Sequence, residues 1–285
     1  AEAGDGGPVS ETLMLHGPPP RTLDVTAVPL DGDGQPLGTI AFIEDISERR
    51  RLEAVRRDFA ANVSHELRTP IGALAVLAEA LAVEDDPVVT HRLVSHITTE
   101  AERAGRLIED LLDLSRIEAE GVVTRELVDT NAVTDTAADR VLPLARQRDV
   151  EIVVSREEPA PLVRGDERQL VSAVANLLDN AVKYSEPGSK VEVASSRSGT
   201  WARLVVSDQG IGIPGRDLER IFERFYRVDR ARSRETGGTG LGLAIVRHVA
   251  TNHGGNVLVR SREGEGSTFT LRLPLADTAE TAMNR

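Results

Sequence analysis

His65 is the histidine in this sequence whose neighbours least resemble those of an ordinary surface histidine. It lies in Phe59-Ala-Ala-Asn-Val-Ser-His65-Glu66-Leu67-Arg68-Thr69-Pro70, inside a run of apolar residues at helical spacing. At about 100° per residue, His65 falls about 200° from Val63, and Thr69 within about 40° of His65. His65 and Thr69 therefore share a face opposite the apolar seam. A neutral imidazole is a competent nucleophile near neutrality. The adjacent Glu66 carboxylate can take its N–H proton as a phosphoryl group arrives, and Thr69 sets a hydroxyl one turn on. Pro70 has no N–H to give the Glu66 carbonyl, so a kink or loosening of the helix is expected there.

A second constellation lies far along the chain. In Asn176-Leu-Leu-Asp-Asn180-Ala-Val-Lys183-Tyr184 the two asparagines are four apart, so both amides face the same way on a helix. Amide carbonyls suit a hard cation such as Mg²⁺ when phosphates supply its remaining ligands. Asp208-Gln-Gly210-Ile-Gly212 places an acid before a Gly-rich turn, where it can accept a hydrogen bond from an exocyclic amine such as that of adenine. Gly210, Gly212 and Gly215 match G-x-G-x-x-G formally, but Pro214 interrupts the helix that a dinucleotide-binding unit needs, and the match is discarded. Gly237-Gly238-Thr239-Gly240-Leu241-Gly242 opens an apolar helix, and backbone N–H groups at such an N-terminus bind anions. There is no Walker-type G-x-x-x-x-G-K-[ST]. Phe222, Phe225 and Tyr226 fall within five residues before the polar run 229–236, which reads as a mobile lid.

The elements that must position these groups follow from composition and periodicity. The 285 residues suggest about two domains, and aromatics at 3% leave Leu, Val, Ile and Ala to build the cores. A formal charge of −12 argues against nonspecific nucleic-acid binding, and no nucleic-acid partner is expected. The absence of cysteine excludes disulfides, thiolate metal sites and thiol nucleophiles. The chain starts with neither an initiator Met nor a signal peptide, and it reads as part of something longer.

Two strand-like runs, 22–28 and 38–43, flank the turn signal Asp31-Gly-Asp-Gly34 and look like the tail of a β-rich domain. From Ile46 the period becomes helical through Leu52, Val55, Phe59, Val63, Leu67, Ile71, Leu74 and Leu81. A second stripe, Leu93, Ile97, Ala104, Ile108, Leu111 and Leu114, follows the break at 84–87. Such an antiparallel hairpin leaves one apolar seam that dimerisation into a four-helix bundle would cover. After a linker near 118–121 come helices at 130–147, 166–183 and 241–252, a short helix near 217–223, and strands at 151–155, 191–195, 202–207, 256–261 and 267–273. That mixture indicates an α/β sandwich.

The run from Phe59 to Pro70 resembles the H-box of bacterial sensor histidine kinases. The stretches 176–184, 208–212, 222–227 and 238–242 resemble their N-box, first glycine box, F-box and second glycine box. The likeness covers roughly 46–275 and is nearest to the actinobacterial phosphate-sensing kinases. Residues 1–45 resemble the last strands of a PAS sensor domain.

The resemblance implies a C-terminal PAS-like remnant at 1–45, a HisKA-type dimerisation and phosphotransfer hairpin at 46–118, a linker at 119–126, and a Bergerat-type ATP-binding domain at 127–285. It implies an ATP-dependent protein-histidine kinase that is phosphorylated on His65, with Glu66 as acid/base partner and Thr69 as the water-positioning group of a phosphatase reaction. Asn176 and Asn180 would hold Mg²⁺, Lys183 would lie near the phosphates, and Tyr184 near the nucleotide. Asp208 would read the adenine amine beside Gly210 and Gly212. Arg227 would meet the γ-phosphate, with Gly238, Thr239, Gly240, Leu241 and Gly242 under the lid, 223–239. The implied partners are a second copy of the chain and a response regulator that accepts the phosphoryl group on aspartate. The implied location is cytoplasmic, with membrane attachment only through segments missing from this chain. An ATPase of the gyrase, Hsp90 and MutL type would carry Glu one turn before Asn180, where this sequence has Asn176. A scaffold without catalysis would bind nucleotide but form no phosphohistidine.

Overall fold

The computed structural model describes residues 8–32, 35–120, 126–228 and 238–276. It divides into two compact units, 1–66 and 67–285. No helix among the described residues is long and apolar enough to cross a membrane.

The first unit is a three-stranded antiparallel sheet, β1 (Val9–Leu15), β2 (Arg21–Gly32) and β3 (Gln35–Asp45), in the order β1-β2-β3. β2 and β3 contain the two expected strands, and the tip of the Asp31–Gly34 turn lies outside the described residues. β1 is an addition: its Leu13-Met14-Leu15 run hides the alternation that marks a strand. The sheet hands over to a helix through Ile46, which is buried and donates its N–H to the Thr22 carbonyl at 2.9 Å. Ser47 then donates its N–H to Asp45 Oδ1, which satisfies one of the otherwise orphaned donors of the first turn.

That helix, α1 (Ser47–Ala82), runs unbroken through Pro70, so the loosening expected there does not end it. α2 (Pro87–Glu120) begins where Asp86 Oδ1 accepts the Val88 N–H at 2.8 Å, with Pro87 at the first helical position. The apolar residues of this pair are incompletely covered. Ile71, Val76, Val94, Ile108 and Leu112 are all exposed. Leu114 is buried.

The domain that follows layers three helices on one face of a five-stranded sheet. The elements are β4 (Glu126–Asp129), α3 (Thr130–Gln147), β5 (Glu151–Ser155), β6 (Leu162–Gly165), α4 (Glu167–Tyr184), β7 (Lys190–Ser198), β8 (Trp201–Asp208), α5 (Gly242–Asn252), β9 (Asn256–Arg262) and β10 (Gly266–Pro274). The sheet order is β5-β7-β8-β10-β9, parallel only between β5 and β7, while β4 and β6 pair separately. β4 and β6 have no counterpart in the sequence reading, because four residues are too few to show a period. The helix foreseen near 217–223 is two 3₁₀ turns, Gly215–Asp217 and Arg220–Phe222.

Asp129 and Asp166 cap α3 and α4, each accepting two backbone N–H groups of the first turn. The register aligns Val193 with Val206, Val206 with Phe269, and Leu204 with Leu271, so one apolar stripe crosses three strands beneath α4. Leu204 and Leu271 are fully buried. Leu204→Ala should cost about 2–5 kcal/mol through lost burial and the cavity left behind. Denaturant unfolding of the purified chain should show this as a lower midpoint with an unchanged slope.

Candidate functional site

α4 sets the geometry. Its residues 170, 173, 174, 177, 178, 181 and 182 are buried at three- and four-residue steps, which fixes the rotation of the helix on the sheet. The neighbouring flank, Ser172, Asn176, Asp179, Asn180 and Lys183, then lines a cavity of about 710 Å³. Tyr184, Asp208, Gly212, Arg227, Gly238, Thr239, Gly240 and Gly242 line it too. Among the residues expected to bind nucleotide, Gly210 and Leu241 do not. Leu241 is fully buried beneath the start of α5, and Gly210 gives its N–H to Asp208.

Each wall has a local cause. Asn176 donates one amide N–H to the Ser172 carbonyl at 3.0 Å, which orients the amide, with Oδ1 as its acceptor. A Cβ at Gly242 would stand 2.9 Å from that Oδ1, so glycine lets α5 begin against the amide. Gly212 has φ +67° and would drive a Cβ to 2.0 Å from the Arg262 carbonyl oxygen, so no other residue fits this turn without displacing the strand end. Asp208 Oδ1 accepts N–H groups from Gly210 at 2.9 Å and Ser267 at 3.2 Å. Burial pushes its carboxyl above the usual range despite these two bonds. Lys183 pairs with Asp179 at 2.6 Å. Arg227 donates to the Gly238 carbonyl, tying the two ends of the segment 228–237, and most of the foreseen lid lies outside the described residues.

His65, Glu66 and Thr69 all lie on α1 and do not line the cavity. His65 and Thr69 are exposed, as the helical-wheel argument requires, and Glu66 is half-buried.

The sequence reading missed the contribution of α2. Arg106, Glu109, Asp110 and Asp113, one polar stripe at three- and four-residue spacing, line the cavity. Arg140 and Leu144 of α3 do so as well. The signal existed as a stripe opposite the apolar one, but a polar stripe on a helix usually faces water.

Two family models match the chain. Residues 55–120 match the His Kinase A (phospho-acceptor) domain, and residues 165–277 match the histidine kinase-, DNA gyrase B- and HSP90-like ATPase. The first contains His65, Glu66 and Thr69, and the second contains every cavity residue of α4 and the glycine-rich turns. This chain belongs to the sensor histidine kinases. Sensor-like histidine kinase SenX3 of Mycobacterium tuberculosis is 48% identical over 82% of the chain, which spans 58% of that relative's length. Sensor histidine kinase WalK of Bacillus subtilis is 37% identical over 85% of the chain and 40% of its own length. Among solved structures, the Acinetobacter baumannii histidine kinase AdeS is 26% identical with a TM-score of 0.59, over 75% of this chain and 98% of that one. The mycobacterial relative agrees with the actinobacterial likeness of the sequence, and the matched ATPase is an ATP-binding domain.

The raised Asp208 carboxyl makes a testable statement about stability. It binds a proton more tightly in the folded than in the unfolded chain. Its ionisation therefore opposes folding as pH rises through the carboxylate range, and the penalty disappears in acid. Asp208→Asn keeps an oxygen for the two N–H donors and removes the charge. Melting curves should place the variant at or above the parent at neutral pH, with the difference closing in acid. A variant that melts lower at neutral pH and stays lower in acid would contradict this.

Proposed function

We propose that the chain is a protein-histidine kinase module that transfers the γ-phosphoryl group of ATP to His65. The observation that carries this reading is the cavity, which gathers nearly all of the nucleotide residues inferred from widely separated motifs. Asp208 is suited to adenine recognition because Gly210 and Ser267 occupy one of its oxygens and leave the other to accept an amine proton. The phosphates fit the N-terminal end of α5, where Gly238, Thr239, Gly240 and Gly242 line the cavity and the helix dipole favours negative charge. Lys183 and Arg227 add positive charge to that wall.

Asn176 and Asn180 suit a magnesium ion, since both line the cavity and the bond from the Asn176 nitrogen to Ser172 orients that amide. A bound magnesium ion would neutralise phosphate charge. The reaction itself falls to α1. The unprotonated ring nitrogen of His65 attacks the γ-phosphorus, forming an N–P bond as the bond to the departing ADP oxygen breaks. Glu66 takes the proton from the other ring nitrogen. In the reverse sense, Thr69 orients water for dephosphorylation of the regulator.

The acceptor after His65 is an aspartate of a separate response regulator. The working unit is a dimer, which supplies the cover that Ile71, Ile108 and Leu112 lack within one chain. The domain boundaries proposed are those read from the sequence, and membrane attachment would lie in further chain.

His65→Gln separates the two halves of this reading. Incubation with γ-labelled ATP should leave the variant unlabelled, while calorimetric ATP binding stays within about twofold of the parent. Labelling at the parent level would contradict the assignment.

A further inference from the structure

Asp110 reaches the nucleotide cavity from α2, outside every motif that points to nucleotide. Its Oδ2 accepts a hydrogen bond of 2.5 Å from the Thr239 hydroxyl. The Thr239 oxygen in turn accepts the Leu241 N–H at 3.3 Å, at the start of α5. Lys183 attracts the Asp110 carboxylate, while Asp179 and Asp113 repel it. An acidic side chain thus sits where the dipole of α5, the Thr239 hydroxyl and Lys183 together favour an anion.

Contacts beyond the cavity hold α2 in this place. Leu107, Leu114 and Ile117 are buried on one face of the helix. Asn252 of α5 donates its amide N–H to the Ile117 carbonyl at 3.0 Å. Glu118 meets Arg224 and lies 3.3 Å from His248 Nε2. α2 is therefore docked along α5, and Asp110 is its only residue hydrogen-bonded to the glycine-rich turn among the contacts described.

We propose that Asp110 is a charge gate on this cavity: while α2 is docked, its carboxylate holds the anion position at the start of α5. Docking and the binding of a nucleoside polyphosphate then oppose each other in proportion to phosphate charge. The proposal rests on the nucleotide reading above and adds a residue that selects among ligands by charge. The antagonism is reciprocal, so ATP loosens α2 by the factor by which docked α2 weakens ATP. Burial works against the Asp110 charge and holds its carboxyl above the usual range, and the Thr239 hydroxyl and Lys183 pull the other way.

The test is calorimetric titration of the full chain with adenosine, ADP and ATP at fixed Mg²⁺. Asp110→Asn keeps an oxygen for Thr239 and removes the charge. It should leave adenosine within about twofold, tighten ATP about tenfold, and place ADP between them. Ile117→Asp, which undocks α2 without entering the cavity, should give the same order. Equal changes for adenosine and ATP would overturn the gate, as would weaker ATP binding. A parent chain that binds adenosine and ATP, with variants that lack the charge order, overturns the gate alone. A parent that binds neither overturns the nucleotide reading and the gate together.

Discussion

The burial of α4 on the sheet is the constraint from which the site follows. Seven apolar side chains at three- and four-residue steps leave that helix one rotational setting, because turning it would expose Leu177 and Leu178, both almost wholly buried. With the rotation fixed, Asn176, Asn180 and Lys183 must emerge along a single flank. The sheet register then brings the end of β8 with Asp208, and Ser267 of β10, to the same side. α5 can begin against the Asn176 amide because residue 242 has no side chain to intervene. The chemistry-bearing groups are polar exceptions on elements whose placement is decided by apolar packing.

Charge poses the complementary problem. The chain carries a net charge of −12, yet belongs to a family whose ATP-binding domain must hold a polyanion. In the proposed reading, backbone N–H groups at the start of α5 would meet that need without adding lysines. Glycines there let the main chain approach a ligand closely. At the same place the Thr239 hydroxyl donates to the Asp110 carboxylate of α2. A site suited to an external anion is open to an internal one, and under the proposed gate this would link the helix that carries acidic groups into the cavity to nucleotide binding.

Much of this was legible in the sequence. The α4 period, the asparagine pair and the glycine-rich turns are each local in sequence, so local patterns reveal them. The strands of the central sheet could be read because burial on one face imposes alternation, as in Val191 to Ser195. β1, β4 and β6 could not: β1 has a continuous apolar end, and the others are too short to show a period. Pro70 lies inside α1, where one missing donor in a helix of 36 residues does not end it. The stripe Arg106, Glu109, Asp110 and Asp113 was visible yet uninformative, since its partners lie far away in sequence and only tertiary packing makes it part of a cavity.

The most direct test of the central claim is the chemistry of the phosphorylated chain. The purified protein would be incubated with γ-labelled ATP and Mg²⁺, denatured, and divided between acid and alkali. A phosphoryl group carried on the His65 imidazole is lost in acid and retained in alkali, and that is the result expected here. Label that survives acid and is lost in alkali would place the phosphoryl group on a hydroxyl ester and contradict the account.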